Sequence, residues 1–171
     1  MNLRPAVLVA LFVATGCKSG DTPGRAPSPA ASAALAPVKR PIFVRGPTGG
    51  APVAPFIAGE LTTARAGHYG LLVYVGATWC EPCQGFHRAV AAGELDDLLA
   101  GVHLIEFDLD ADREPLAAAG YSSQLIPLFA LPKPDGTASE ARIEGSIKGA
   151  DAVERNLMPR LRAFLKGQQT G

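Results

Sequence analysis

The run Leu71-Leu72-Val73-Tyr74-Val75, closed a few residues later by Trp79-Cys80-Glu81-Pro82-Cys83, constrains this chain more than any other feature. Five consecutive apolar residues at strand length read as a buried central strand, covered on both faces. The helical pattern from Pro82 to Ala92 that follows puts two cysteines at a strand-to-helix junction. Such a pair has redox chemistry available to it. Unpaired N–H groups and the dipole at a helix N-terminus favour the Cys80 thiolate. Pro82 in the first turn leaves no N–H unsatisfied. Cys83, one turn on, lies behind Cys80 and can attack a mixed disulfide formed there. Zinc competes for such pairs, but a structural site needs four ligands, commonly two such pairs, and the sequence has no second one.

The rest of the C-terminal part alternates strand and helix. Val102–Phe107 is a second strand, and the acidic stretch 108–112 after it reads as a solvated turn. Helical patterns cover Glu94–Ala100 and Arg113–Ala119. Leu128–Leu131 and Ala141–Ile143 flank the turn signal Pro134-Asp135-Gly136-Thr137, as in a hairpin. A last helix starts at Asp151, a suitable N-cap with Glu154 three residues on, and Pro159 is expected to kink it. Its Val153, Leu157, Leu161 and Leu165 recur every fourth residue, giving one buried face. A further element is indicated at 56–64. Strands joined through helices pair in parallel and the hairpin adds an antiparallel edge. The expected class is α/β, a mixed central sheet with helices on both faces.

Composition separates this domain from what precedes it. Residues 18–52 contain seven prolines, five basic residues and one acid; residues 53–171 contain ten basic and fifteen acidic residues, a net charge of −5. The overall charge is zero, which argues against a nucleic-acid partner. The segment 17–52 is rich in Pro, Ala, Gly and Ser and reads as a disordered linker, with the domain assigned to 53–171. The short run Ile42-Phe43-Val44 inside it has strand character, but it is left in the linker.

At the start, Arg4 precedes the nine-residue apolar run Ala6–Ala14. Nine residues cannot cross a hydrocarbon core, which takes about 20 in a helix. They fit the core of a secretory signal peptide over residues 1–16. The run ends Ala14-Thr15-Gly16-Cys17, which resembles the cleavage box of bacterial lipoproteins, with Ala14 where Leu or Val is usual. That resemblance implies a lipid on Cys17, a membrane-anchored protein in the cell envelope facing the periplasm, and a use for the odd third cysteine.

Val75-Gly76-Ala77-Thr78-Trp79-Cys80-Glu81-Pro82-Cys83 resembles the active-site stretch of the thioredoxin superfamily, Ile126-Pro127 its cis-proline loop, and Gly145 the glycine of its third substrate loop. The resemblance covers roughly residues 56–167. It implies a thioredoxin-like fold with Cys80 as nucleophile, Cys83 as resolving thiol, and Trp79, Ile126, Pro127 and Gly145 binding substrate. It implies no cofactor beyond a redox-active Cys80–Cys83 disulfide. The partners it implies are exported protein thiols or disulfides and an upstream membrane thiol reductase. Two departures stand out. Tyr74 occupies the position of the family's buried proton-accepting aspartate, which leaves Glu106 on the neighbouring strand as the candidate acid. Leu128 replaces the threonine often found after the cis-proline. The Glu-Pro dipeptide resembles that of tethered thioredoxins acting on apocytochrome c, yet the 44 residues from Cys83 to Pro127 leave no room for their insert. A different class of function also stays open: His87, on the same helical face as both cysteines, makes a copper-binding or copper-delivery site of Cys80, Cys83 and His87 conceivable.

Overall fold

The structure is a computed structural model that describes residues 40–168. Cys17 and the expected signal peptide lie outside the described residues, as does most of the expected linker.

Five strands form one mixed sheet in the order β1-β3-β2-β4-β5. The central strand β2 (Gly70–Gly76) is the continuous apolar run, and residues 71–76 are all buried. It pairs in parallel with β3 (Val102–Asp108), which sets Tyr74 opposite Glu106, and antiparallel with β4 (Leu128–Pro132). Strand β5 (Ala138–Glu144) returns antiparallel to β4 through the expected Pro134–Thr137 turn. Asp135 Oδ1 fastens that turn by accepting both the backbone N–H and the hydroxyl of Thr137, at 2.9 and 2.7 Å.

The remaining edge corrects the expected domain boundary. Strand β1 (Ile42–Arg45) pairs in parallel with β3, from Ile42 beside His103 to Arg45 beside Glu106. The domain therefore takes in residues from about Arg40, and the 17–52 linker is too long at its C-terminal end. Four residues with Ile42 half exposed give a weak hydrophobic signal. What holds β1 is tertiary: Phe43 packs against Tyr74, Phe86 and His87 with ring centroids 5.4–6.4 Å apart.

Alternation along β2 divides the core in two. Leu71, Val73 and Val75 face one side, where α1 (Val53–Gly67) contributes Val53, Ile57 and Ala64, and α3 (Arg113–Ala118) contributes Leu116. Leu72 and Tyr74 face the other, against Phe86 and Ala89 of α2 (Glu81–Ala91), Val153 and Leu157 of the widened turn described below, and Leu161 of α4 (Met158–Gln168). Each fully buried side chain of this size contributes roughly 1.5–3 kcal/mol by leaving water. The expected layering is thus observed, with α1 extending the element indicated at 56–64 in both directions.

Two expected helices are altered. Residues 94–100 form successive turns: α2 stops where Gly93 adopts φ +80° and Glu94 N–H bonds Ala89 O at 3.0 Å, a left-handed closure that redirects the chain. Leu95 and Leu99 are fully buried all the same, so their spacing reported burial and not helix. At the C-terminus the chain makes a widened π turn over Val153–Leu157 before α4. A proline in a helix clashes with the carbonyl four residues back. The wider turn ends two residues before Pro159, in the region where a kink was expected. Asp151 does not cap this helix; its carboxylate pairs with Arg155 at 2.8 Å.

Candidate active site

Strand β2 ends at Gly76, the chain turns through 77–79, and α2 begins at once. Cys80 N–H bonds Ala77 O at 3.1 Å, and Cys80 is the N-cap of α2 with extended φ and ψ of −79° and 106°. Cys80 and Cys83 are joined as a disulfide with an S–S distance of 2.10 Å. Cys80 Sγ accepts the backbone N–H of Cys83 at 3.2 Å. On reduction that donor and the helix N-terminus face a Cys80 thiolate, a setting worth about 0.3–1 kcal/mol or more for an anion. Both cysteines are buried, with Cys80 at 4% exposure and Cys83 at 1%. The pair can take up or release two electrons by exchange with another disulfide or dithiol.

A groove of about 340 Å³ opens over Cys80, lined by Trp79, Glu81, Pro82, Gln124, Leu125, Ile126, Ser146 and Lys148. The Ile126–Pro127 bond is cis. Pro127 is buried directly before β4, and its carbonyl accepts the N–H of Gly145 at 2.9 Å. Arg160 of α4 steadies the same corner, donating to Gly145 O at 2.6 Å and Glu144 O at 3.0 Å. Trp79 and Ile126 thus line the groove over Cys80, and Pro127, next to Ile126, is hydrogen-bonded to Gly145. Two large apolar side chains of this lining stand exposed, Trp79 at 63% and Leu125 at 61%, and Ile147, in sequence between the lining residues Ser146 and Lys148, is 46% exposed. The Trp79 indole N–H donates to Asp110 Oδ2 at 2.6 Å, and Asp110 Oδ1 meets Arg113 at 3.4 Å.

Glu106 and His87 are brought together. His87 Nε2 and Glu106 Oε1 are hydrogen-bonded at 3.0 Å on a second cavity of about 390 Å³, whose walls include Arg45, Tyr74, Arg88 and Asp108 and neither cysteine. The His87 hydrogen bond, more than any other contact, holds the Glu106 carboxyl below its ordinary range, against the opposing effect of desolvation. An acid poised under Cys83 would need the reverse shift. Tyr74 is fully buried, and among the described residues its hydroxyl has no hydrogen-bond partner. Burial, then the charges of Glu106 and Asp108, raise its ionisation far above the usual phenol value, so it stays neutral. It can donate a proton to a hydrogen bond but does not replace a carboxylate base.

His87, the third residue of the conceivable copper site, is not among the residues that line the groove over Cys80. Its Nε2 is engaged by Glu106, and among the described residues no group of three or more His, Cys, Asp or Glu is arranged to hold a metal ion. Sequence reasoning missed Asp110, which sits in the acidic run read as a solvated turn, and Leu125, Lys148 and Arg160, whose spacing carries no motif. It also missed that Glu81 bonds the backbone of Gly149 at 3.0 Å.

No family model matches the sequence, and no curated protein is similar to it at a significant level. Among solved structures, the chain is similar to thioredoxin from Trypanosoma brucei brucei at 15% identity and a TM-score of 0.47, over 80% of this chain and 98% of that one. It is similar to Trichomonas vaginalis thioredoxin at 22% identity and a TM-score of 0.42, over 74% and 98% of the two chains. Thioredoxin O2 from Arabidopsis thaliana in the oxidized state aligns at 17% identity and a TM-score of 0.42, over 75% and 94%. By its own strand order, its helices on both faces and the disulfide that caps the helix after the central strand, the chain has a thioredoxin-like fold.

Proposed function

We propose that this chain is a thiol–disulfide oxidoreductase of the bacterial cell envelope, anchored by a lipid on Cys17, that reduces or exchanges disulfides of exported proteins. The observation that carries the catalytic part is the Cys80–Cys83 disulfide at the N-terminus of α2, open to a groove with an apolar rim. The location rests on the apolar run 6–14 and the Ala14-Thr15-Gly16-Cys17 box.

In the reducing direction, the Cys80 thiolate attacks one sulfur of a substrate disulfide. A mixed disulfide forms and one substrate thiolate leaves, taking a proton from solvent. Cys83, as thiolate, then attacks Cys80 Sγ, which re-forms the Cys80–Cys83 disulfide and releases the second substrate thiolate. Two electrons pass to the substrate, and a dithiol reductant outside this chain restores the pair. The negative charge of Glu81 next to Cys80 opposes a strongly stabilised thiolate, so a reductant or mild exchanger fits better than a strong oxidant.

Insulin reduction in the presence of dithiothreitol tests the activity. The full chain is expected to accelerate precipitation of the reduced B chain, with Cys80→Ser falling to the rate of dithiothreitol alone. Equal rates for wild type and Cys80→Ser contradict the reading. The potential against glutathione tests the direction; a value near the roughly −120 mV of the strongest periplasmic oxidants contradicts a reductant. Incorporation of labelled fatty acid, lost in Cys17→Ala, tests the anchor, and equal labelling of both contradicts it.

A further inference from the structure

The dipeptide between the cysteines reaches beyond the disulfide. Glu81 opens α2 with its side chain exposed, and its Oε1 accepts the backbone N–H of Gly149, a contact spanning 68 residues. Gly149 ends the segment 145–149, of which Ser146 and Lys148 line the groove over Cys80. The near end of that segment is fixed without Glu81. Gly145 is bound to Pro127 and Arg160, and Ser146 Oγ bonds Asn156 Oδ1 at 3.1 Å. The far end, 147–150, is exposed; Gly149 O accepts the Ala152 N–H at 3.1 Å inside the following turn, and Glu81 is the side chain that ties this backbone back to α2.

We propose that the Glu81 carboxylate is a latch: it ties segment 145–149 to the N-terminus of α2 and so holds one wall of the groove in place for a polypeptide substrate. The inference rests on the oxidoreductase reading above and deepens it. A polypeptide reaches past Cys80 to the exposed Trp79 and Leu125 and to the Ser146 and Lys148 wall, whereas a small disulfide needs only Cys80. Glu81 is therefore a positioning residue for protein substrates. Its carboxylate has two separable properties, an acceptor oxygen for Gly149 N–H and a negative charge beside Cys80. Glutamine keeps the first and loses the second; alanine loses both.

The test compares the full chain as wild type, Glu81→Gln and Glu81→Ala. It measures KM for insulin, turnover of a small aromatic disulfide, and amide hydrogen exchange of the peptide covering 146–150. Because the side chain is exposed, both variants are expected to fold. With the small disulfide they should behave alike, since both have lost the charge. With insulin only Glu81→Ala should show a raised KM, roughly three- to tenfold, the scale of one ordinary intramolecular hydrogen bond. Exchange at 146–150 should accelerate in Glu81→Ala and stay near wild type in Glu81→Gln. Equal KM for insulin in the two variants, or unchanged exchange in Glu81→Ala, overturns the latch. A wild-type chain that reduces neither substrate defeats the oxidoreductase reading instead, and the exchange comparison alone then decides whether the latch exists.

Discussion

Phe86→Ala tests whether the aromatic cluster under α2 is what seats the redox helix on the sheet. Phe86 is fully buried, with ring centroids 5.1 Å from Tyr74, 5.0 Å from Phe129 and 6.2 Å from Phe43. Truncation of a buried phenylalanine costs about 3–5 kcal/mol, and the cost grows when the surroundings cannot collapse into the cavity. Here two of the neighbours, Tyr74 and Phe129, sit on paired strands in the middle of the sheet, fixed by the ladder. The loss should therefore lie in the upper half of that range, about 4 kcal/mol. A domain of about 130 residues has a stability of roughly 6–19 kcal/mol, so the variant should remain folded but lose a sizeable fraction of it. With an unfolding entropy of about 2.1 cal/mol/K per residue, Tm should fall by roughly 15 °C. Urea unfolding of the oxidised protein, with Phe86→Leu as a milder control expected near 1 kcal/mol, reads this out. A loss under about 1.5 kcal/mol in Phe86→Ala would refute the packing argument, because it would mean the cluster relaxes as freely as a surface site.

Two further predictions concern the turn and the Glu106–His87 hydrogen bond. Gly136 has φ +81°, and a Cβ there would run into the carbonyl of Ala54; Gly101 has φ +72° with open space around it. Gly136→Ala should thus cost clearly more than the roughly 1 kcal/mol of left-handed strain expected for Gly101→Ala, and equal losses in thermal melts would contradict the close packing of the β4–β5 turn on α1. For Glu106, a folded-state pKa below the ordinary 4.5 means the hydrogen-bonded carboxylate adds stability above the unfolded value, which is lost as pH falls through the folded value. Titration of the Glu106 carboxyl by NMR should show this depressed value, and His87→Ala should move it upward; an unchanged titration in that variant would contradict the assignment of His87 as the main cause.

The parts of this molecule legible in the sequence are those where a local pattern and the tertiary environment agree. Residues 71–75 are apolar without interruption because β2 is covered on both faces, and the cysteines at its end mark the start of α2. The turn at 134–137 carries its own chemistry in Asp135 and Gly136. Strand β1 shows in the sequence only as the short run Ile42-Phe43-Val44 and reads there as part of the linker, because its burial comes from Phe43 meeting rings on β2 and α2, contacts distant in sequence. The 94–100 segment misled because Leu95 and Leu99 are spaced like a helix face but serve a chain of turns. At the site, the cysteines and the Ile126–Pro127 corner follow from motif, whereas the partner of Glu106 and the reach of Glu81 to Gly149 depend on side chains meeting across the fold. No spacing rule encodes such pairings.

The central claim is that Cys80 forms the mixed disulfide and Cys83 resolves it. Intact-mass analysis of the reduced full chain carrying Cys83→Ala, after brief incubation with oxidised insulin, measures this most directly. The account predicts a covalent adduct that peptide mapping places on Cys80, that dithiothreitol releases, and that does not accumulate in wild type because Cys83 displaces the substrate. No adduct on Cys80, or an adduct on Cys83 building up in Cys80→Ala and not on Cys80 in Cys83→Ala, would contradict it.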